Sequence, residues 1–161
     1  MDNLISVLLT NKLIDMAINF LTDNVTFPKN LKRRETSNWI KQVAGKHNKK
    51  VTEISYIFCD DEKIININRQ YLEHDFYTDI ITFDYSEEEF ISGDIFISLD
   101  TVLSNSQKYN TQYDEELHRV IIHGVLHLCG IDDKSEEEEE IMREEEDKAL
   151  QLLNNQLTKE N

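Results

Sequence analysis

One stretch of this chain limits its fold more than any other. From Asp114 to Cys129 it is apolar on nearly every side, with Leu117, Val120, Ile121, Ile122, Val125, Leu126 and Leu128 at positions a surface helix would leave polar. A helix of that kind has to be covered by other elements over most of its circumference. Yet it carries His123 and His127, four apart and so on one side of the helix, one turn from each other. Imidazole nitrogens inside an apolar helix are costly unless something engages them. Backbone or carboxylate hydrogen bonds could do so, and so could one divalent metal ion using both rings.

The residues that follow favour the metal. Gly130 can take the left-handed conformation that ends a helix and reverses the chain. Such a reversal returns Asp133 toward the two imidazoles as a third ligand. The pattern is H-x3-H-x2-G-x2-D, the HxxxHxxGxxD spacing of a metzincin-like site. Three protein ligands leave a fourth position for water, as in a catalytic zinc centre. Asp132 rivals Asp133 on chemistry alone. Cys129 could add a thiolate, although a small buried hydrophobe is its commoner role. Zinc proteases with this histidine spacing need a glutamate general base directly after the first histidine. Here that residue is Gly124, so the site points toward another substrate.

Around this helix the pattern is mixed. Residues 13–22 fit either a strand or a short helix. Lys32 to His47 has Trp39, Ile40 and Val43 at helical spacing, ending near Gly45. Ile54, Tyr56 and Phe58 alternate with polar residues as in a half-buried strand. Asp60 or Asp61 can cap a helix that carries Ile64, Ile67, Asn68 and Tyr71. Two β-rich runs follow, Asp79–Tyr85 and Asp94–Leu99, and they fit a hairpin or a non-adjacent pairing. Ser135 reads as the N-cap of a last helix with Met142, Ala149, Leu153 and Leu157 on its apolar face. The glutamates from Glu136 onward, through Glu144, Glu145 and Glu146, suit the positive end of that helix and read as a solvated start with no role of their own. The fold expected is α+β, a small mixed β-sheet packed with several helices. It spans 1–161 as one domain, with residues 1–12 as an N-terminal extension and residues 154–161 as a disordered tail.

Composition excludes several classes. Four glycines and one proline in 161 residues rule out collagen-like and proline-rich chains. No apolar run reaches the ~20 residues of a membrane-spanning helix, and the acidic N-terminus is a poor signal peptide. Cys59 and Cys129 form no CxxC pair, which fits a reducing, cytoplasmic setting. The net charge of −15 is unevenly spread. Residues 1–60 carry nine basic and six acidic groups, whereas residues 111–161 carry five and fifteen. Such a body repels nucleic acid and membrane surfaces overall and suits a basic protein partner. The basic residues between Lys32 and Lys50 are the candidates for a local phosphate-binding face, or a plain solvated surface.

HGVLHLCGIDD, residues 123–133, closely resembles the HG-x-LHL-x-GYDH signature of the YbeY family of bacterial metal-dependent endoribonucleases. Asn68 with Tyr71, TDIITFDY at 78–85 and Gly93-Asp94-Ile95 match further family motifs in order and spacing. His118 and Arg119 fall where the family often has a histidine. The resemblance covers roughly residues 13–153. It implies an α+β domain and single-strand-specific cleavage of RNA. It also implies a role in ribosomal RNA maturation, at the small-subunit RNA 3′ end, and in ribosome quality control. Its spacing selects His123, His127 and Asp133 as ligands of one zinc ion, or another divalent metal. A metal-bound water then carries the chemistry, and no side-chain base is assigned.

Two departures stand out. Asp133 replaces the usual histidine, which lowers the net charge of a divalent site from +2 to +1. Leu72 replaces an arginine thought to serve the RNA site, so that Arg69 or His74, with Asn68, become the candidate substrate-binding residues. Partners implied are single-stranded or ribosomal RNA and the ribosome or its proteins, with no membrane. The competing readings are a metal-dependent protease and a ribosome-associated metal-binding factor with little catalysis.

Overall fold

Strand β2, Lys50–Cys59, alternates in burial along its length, and Ile54, Tyr56 and Phe58 are fully enclosed. The structure, a computed structural model, describes residues 18–73 and 78–159. The sheet built around β2 has four strands in the order β1-β2-β4-β3. Strand β1, Ile18–Thr22, and strand β4, Phe90–Ser98, both run parallel to β2. Strand β3, Ile80–Asp84, lies antiparallel to β4, with Thr82 opposite Ile95. The two β-rich runs therefore form the hairpin, and residues 18–22 of the ambiguous 13–22 segment are strand. The rest of that segment and the 1–12 extension lie outside the described residues.

Among the described residues, five helices accompany the sheet: α1, Arg33–Lys46; α2, Asp61–Tyr71; α3, Leu99–Lys108; α4, Tyr113–Leu128; and α5, Glu136–Lys159. Strand pleating divides the core between the two faces of the sheet. Ile54, Tyr56, Phe58, Ile95 and Ile97 join Trp39, Ile40, Ile121, Val125 and Leu153 in the main cluster. Cys59 and Ile81 join Ile64 and Ile67 of α2 in a smaller one, backed by Phe83 and Phe96. The long apolar helix is indeed covered: Leu117, Ile121, Ile122, Val125 and Leu126 have at most 1% of their surface exposed.

Local signals set several boundaries. The Asp60 side chain accepts a hydrogen bond from the Lys63 amide and caps α2. Ser135 Oγ accepts from the Glu138 amide at the start of α5. That helix continues to Lys159, so residues 154–159, read from sequence as part of a disordered tail, are helical. Gln156 reaches Gln42 of α1, which ties this last turn to the body. Two buried polar tips fix α4 and α5 against the rest. Tyr56 OH donates to the Ile121 carbonyl at 3.0 Å, and Trp39 Nε1 donates to the Ala149 carbonyl at 2.8 Å. The first of these anchors α4 to the central strand two residues before His123.

Candidate metal centre and cleft

The histidine pair owes its position to helix geometry and its third partner to a turn. Gly130 has φ +97°, and the Gly130 and Ile131 amides donate back to the carbonyls of His127 and Leu126 at 2.9 and 3.0 Å. This paired closure is a Schellman ending. It folds the chain over so that Asp133 Oδ2 lies 3.2 Å from His123 Nε2 and 3.3 Å from His127 Nε2. One donor atom from each of the three residues lies within 4.8 Å of the others, a group that could hold a metal ion. Ligands about 2.0–2.2 Å from a tetrahedral ion stand roughly 3.3–3.6 Å apart, close to the two measured edges.

The remaining ring nitrogens test whether these donors suit a metal. His127 Nδ1 donates to the Ile131 carbonyl at 2.9 Å, a contact supplied by the same turn. His123 Nδ1 faces Glu146 Oε2 at 2.7 Å. Arg119 pairs with Glu146 at 2.9 Å and with Asp147 at 2.8 Å, which holds the Glu146 carboxylate in place. Both acceptors require the proton on Nδ1, so both Nε2 lone pairs face the Asp133 oxygen. Metal-binding histidines are commonly oriented in this way. The donor set fits a divalent ion such as zinc, with Asp133 as the selected carboxylate. Asp132 lines the adjoining cleft. Burial alone would lower the His123 pKa, but Glu146, Asp133 and Asp79 outweigh it and hold it above the usual value.

Glu146 is the residue that the sequence reading missed. It was placed in a solvated helix start, yet it is 6% exposed. Its spacing held the signal: it follows Met142 by four and precedes Ala149 by three, on the apolar face of α5. Cys129, the other candidate donor, packs against the main core, and burial pushes its thiol up to about 11. His118, half-buried, stands edge-on to Trp39 with ring centroids 5.7 Å apart.

The three candidate ligands open on a cleft of about 1000 Å³. Asn68 and Leu72 of the α2 end, Thr78 and Asp79 ahead of edge strand β3, Ile80 to Thr82 along it, Tyr109 after α3, and Glu116 and Arg119 of α4 line it. Asn68 is buried at 1% exposure. Arg69 is exposed and is not part of this lining, and His74 lies outside the described residues. Burial raises the carboxyl pKa values of Asp79 and Glu116, opposed in part by His123 and Arg119 respectively. A Cβ at Gly124 would stand 3.0 Å from Ile95 Cδ1 and 3.1 Å from Ile80 Cδ1. The position where a protease keeps its base is thus the close contact between α4 and the sheet.

No helix among the described residues is long and apolar enough to cross a membrane. A solution structure of TM1509 from Thermotoga maritima shares the fold, with TM-score 0.64 and 24% identity over 89% of this chain and 93% of that one. Proteins named endoribonuclease YbeY are more similar in sequence. That of Bacteroides fragilis is 59% identical over 135 residues, 84% of this chain and 96% of its own. That of Porphyromonas gingivalis is 52% identical over 136 residues, 84% and 89% of the two chains. The family model described as endoribonuclease YbeY matches residues 17–154, and the chain belongs to the YbeY family.

Proposed function

We propose that this protein is a metal-dependent endoribonuclease that hydrolyses phosphodiester bonds in single-stranded RNA. It acts in the cytoplasm on ribosomal RNA, at the small-subunit 3′ end, and in ribosome quality control. Its centre is His123, His127 and Asp133 with one zinc ion. The observation that carries this reading is the convergence of two Nε2 atoms and one carboxylate oxygen at the side of an open cleft in a member of this family. The chemistry supplied by a bound divalent ion is polarisation of a phosphoryl oxygen and acidification of a water.

The chain's own groups arrange the rest. Glu146 holds the Nδ1 proton of His123, and the Ile131 carbonyl holds that of His127. Arg119 holds Glu146 in place. Asp133 brings one negative charge, so a divalent centre keeps a net +1 with two neutral imidazoles. Asn68 shapes the cleft beside β3, and Arg69→Ala and His74→Ala test whether either residue shares in substrate binding. The tight packing at Gly124 weighs against a protease, since a glutamate there would meet Ile95 and Ile80. Ribosomal proteins, being basic, suit the acidic body as partners.

The test is cleavage of an end-labelled single-stranded RNA by zinc-reconstituted protein beside His127→Ala from an identical preparation. Wild type alone should cleave, and its product ends report whether water or the 2′-hydroxyl attacks, since only the latter leaves a cyclic phosphate. Equal cleavage by both would expose a contaminant. Metal-loaded wild type that cleaves nothing would point to the ribosome-associated factor.

A further inference from the structure

A cleft that must hold a polyanion would be expected to be basic, and this one is not. Asp79, Asp84, Glu116 and Glu139 line it against Arg119 and Lys134. The Arg119 guanidinium is already engaged by Glu146 and Asp147. Attraction of phosphates is therefore a weak source of grip, and another kind of contact has to hold the strand.

The cleft offers one at Tyr109. This residue is 58% exposed although it lines an ionic cavity. It is also held at a fixed place. Tyr109 is the last residue of α3's ending, where Asn110 takes φ +55°. The Asn110 amide donates to Gln107 O at 3.3 Å and the Thr111 amide to Ser106 O at 2.9 Å, again a Schellman closure. Lys108 Nζ lies over one face of the ring, 5.3 Å from its centroid, so a base would stack on the opposite face. Leu72, at the end of α2, also lines the cleft, is 41% exposed and adds a second apolar surface. An exposed aromatic ring on a rigid turn, beside an ammonium that can meet the adjoining phosphate, has the parts of a stacking platform for single-stranded nucleic acid.

We propose that Tyr109 is a base-stacking subsite that grips one unpaired base of the RNA. This rests on the endoribonuclease reading and deepens it. A base lies flat on the ring only after leaving its own strand's stack, so the platform selects single strands over duplex. Because every base has a π-face, it does so with little sequence preference.

The experiment uses the full zinc-loaded chain as wild type, Tyr109→Ala and Tyr109→Phe. Binding of a nuclease-resistant phosphorothioate single-stranded oligoribonucleotide is read by fluorescence anisotropy, and KM and kcat are read on ordinary RNA. Tyr109→Ala should weaken binding and raise KM about tenfold with kcat within about twofold, and Tyr109→Phe should stay within about twofold of wild type throughout. An abasic residue moved along the oligonucleotide should weaken wild type at one position and leave Tyr109→Ala indifferent there. If wild type cleaves RNA and Tyr109→Ala matches its binding and KM, the platform is overturned while the nuclease stands. Loss in Tyr109→Phe equal to that in Tyr109→Ala would assign the effect to the hydroxyl and also overturn stacking. Wild type that neither binds nor cleaves RNA would remove both proposals.

Discussion

The ligand end of α4 and the cleft it opens on are built in opposite ways. His123, His127, Gly130 and Asp133 come from eleven consecutive residues, and one helix with one turn brings them together. The cleft gathers Asn68, β3, Tyr109, Arg119 and Glu146 from five segments, which meet only when the sheet and helices have packed. Local construction makes the ligand triangle insensitive to distant packing. Distributed construction makes the cleft's shape and charge properties of the whole fold. Glu146 joins the two, because it reaches the triangle from α5.

The largest test is on the local side. Asp133→Ala should weaken zinc binding by more than about 100-fold, measured by competition with a chromogenic chelator, because one of three protein ligands is gone. Asp132→Ala should leave it within a fewfold of wild type. If Asp132→Ala is the damaging change, the turn delivers the other carboxylate and the geometry at Gly130 has to be redrawn.

Next comes the link between the halves. Glu146→Gln keeps the shape but loses the charge that faces His123 Nδ1 and Arg119. Affinity for zinc should fall about 10- to 100-fold, the usual cost of losing such an orienting partner. Unchanged affinity in a folded variant would mean that α4 and its turn suffice, and the triangle would be more independent of α5 than the structure implies.

This division also explains what could be read before the structure. The period-3.6 helix, the histidine spacing and the glycine stop are local, so the histidine pair and a returning carboxylate were legible from residues 123–133, whereas the choice of Asp133 over Asp132 came only from the family's spacing. So were a cap at Asp60 or Asp61, which the structure assigns to Asp60, the Ser135 cap and the alternation of Ile54, Tyr56 and Phe58. The hairpin pairing of β3 with β4 could not be chosen over a non-adjacent one, since each run reads equally well as any half-buried strand. Glu146 was lost in a run of glutamates, although its place on the Met142–Ala149 face distinguished it. Tyr109 had no local signal: a tyrosine after a helix says nothing until β3 and α4 stand around it.

Gly130→Ala sharpens the comparison further. The site has open space for a methyl group, so the cost is conformational, from a φ of +97°. Urea unfolding should show a loss of about 1–2 kcal/mol. Gly130→Asn should lose less, since asparagine accepts left-handed conformations more readily. Equal stability of Gly130→Ala and wild type would show that the turn relaxes without cost and that another contact sets the Asp133 position.

The smallest effect expected lies where α4 meets the packed body, away from the ligands. Burial against Trp39 lowers the His118 pKa from its ordinary 6.5, with Asp114 opposing the shift through its charge and a hydrogen bond. The folded state therefore refuses a proton that the unfolded chain accepts. Above pH 6.5 neither state is protonated and His118 costs nothing. As pH falls through the unfolded value, protonation favours the unfolded chain, and stability drains until the depressed folded value is reached. His118→Phe keeps an aromatic ring against Trp39 and removes the titration. The fall in melting temperature between pH 7 and pH 5 should be smaller in that variant than in wild type, measured on chelator-treated samples of both so that metal release does not enter. An identical fall would place the acid sensitivity of this helix elsewhere and leave the His118 contact as packing alone.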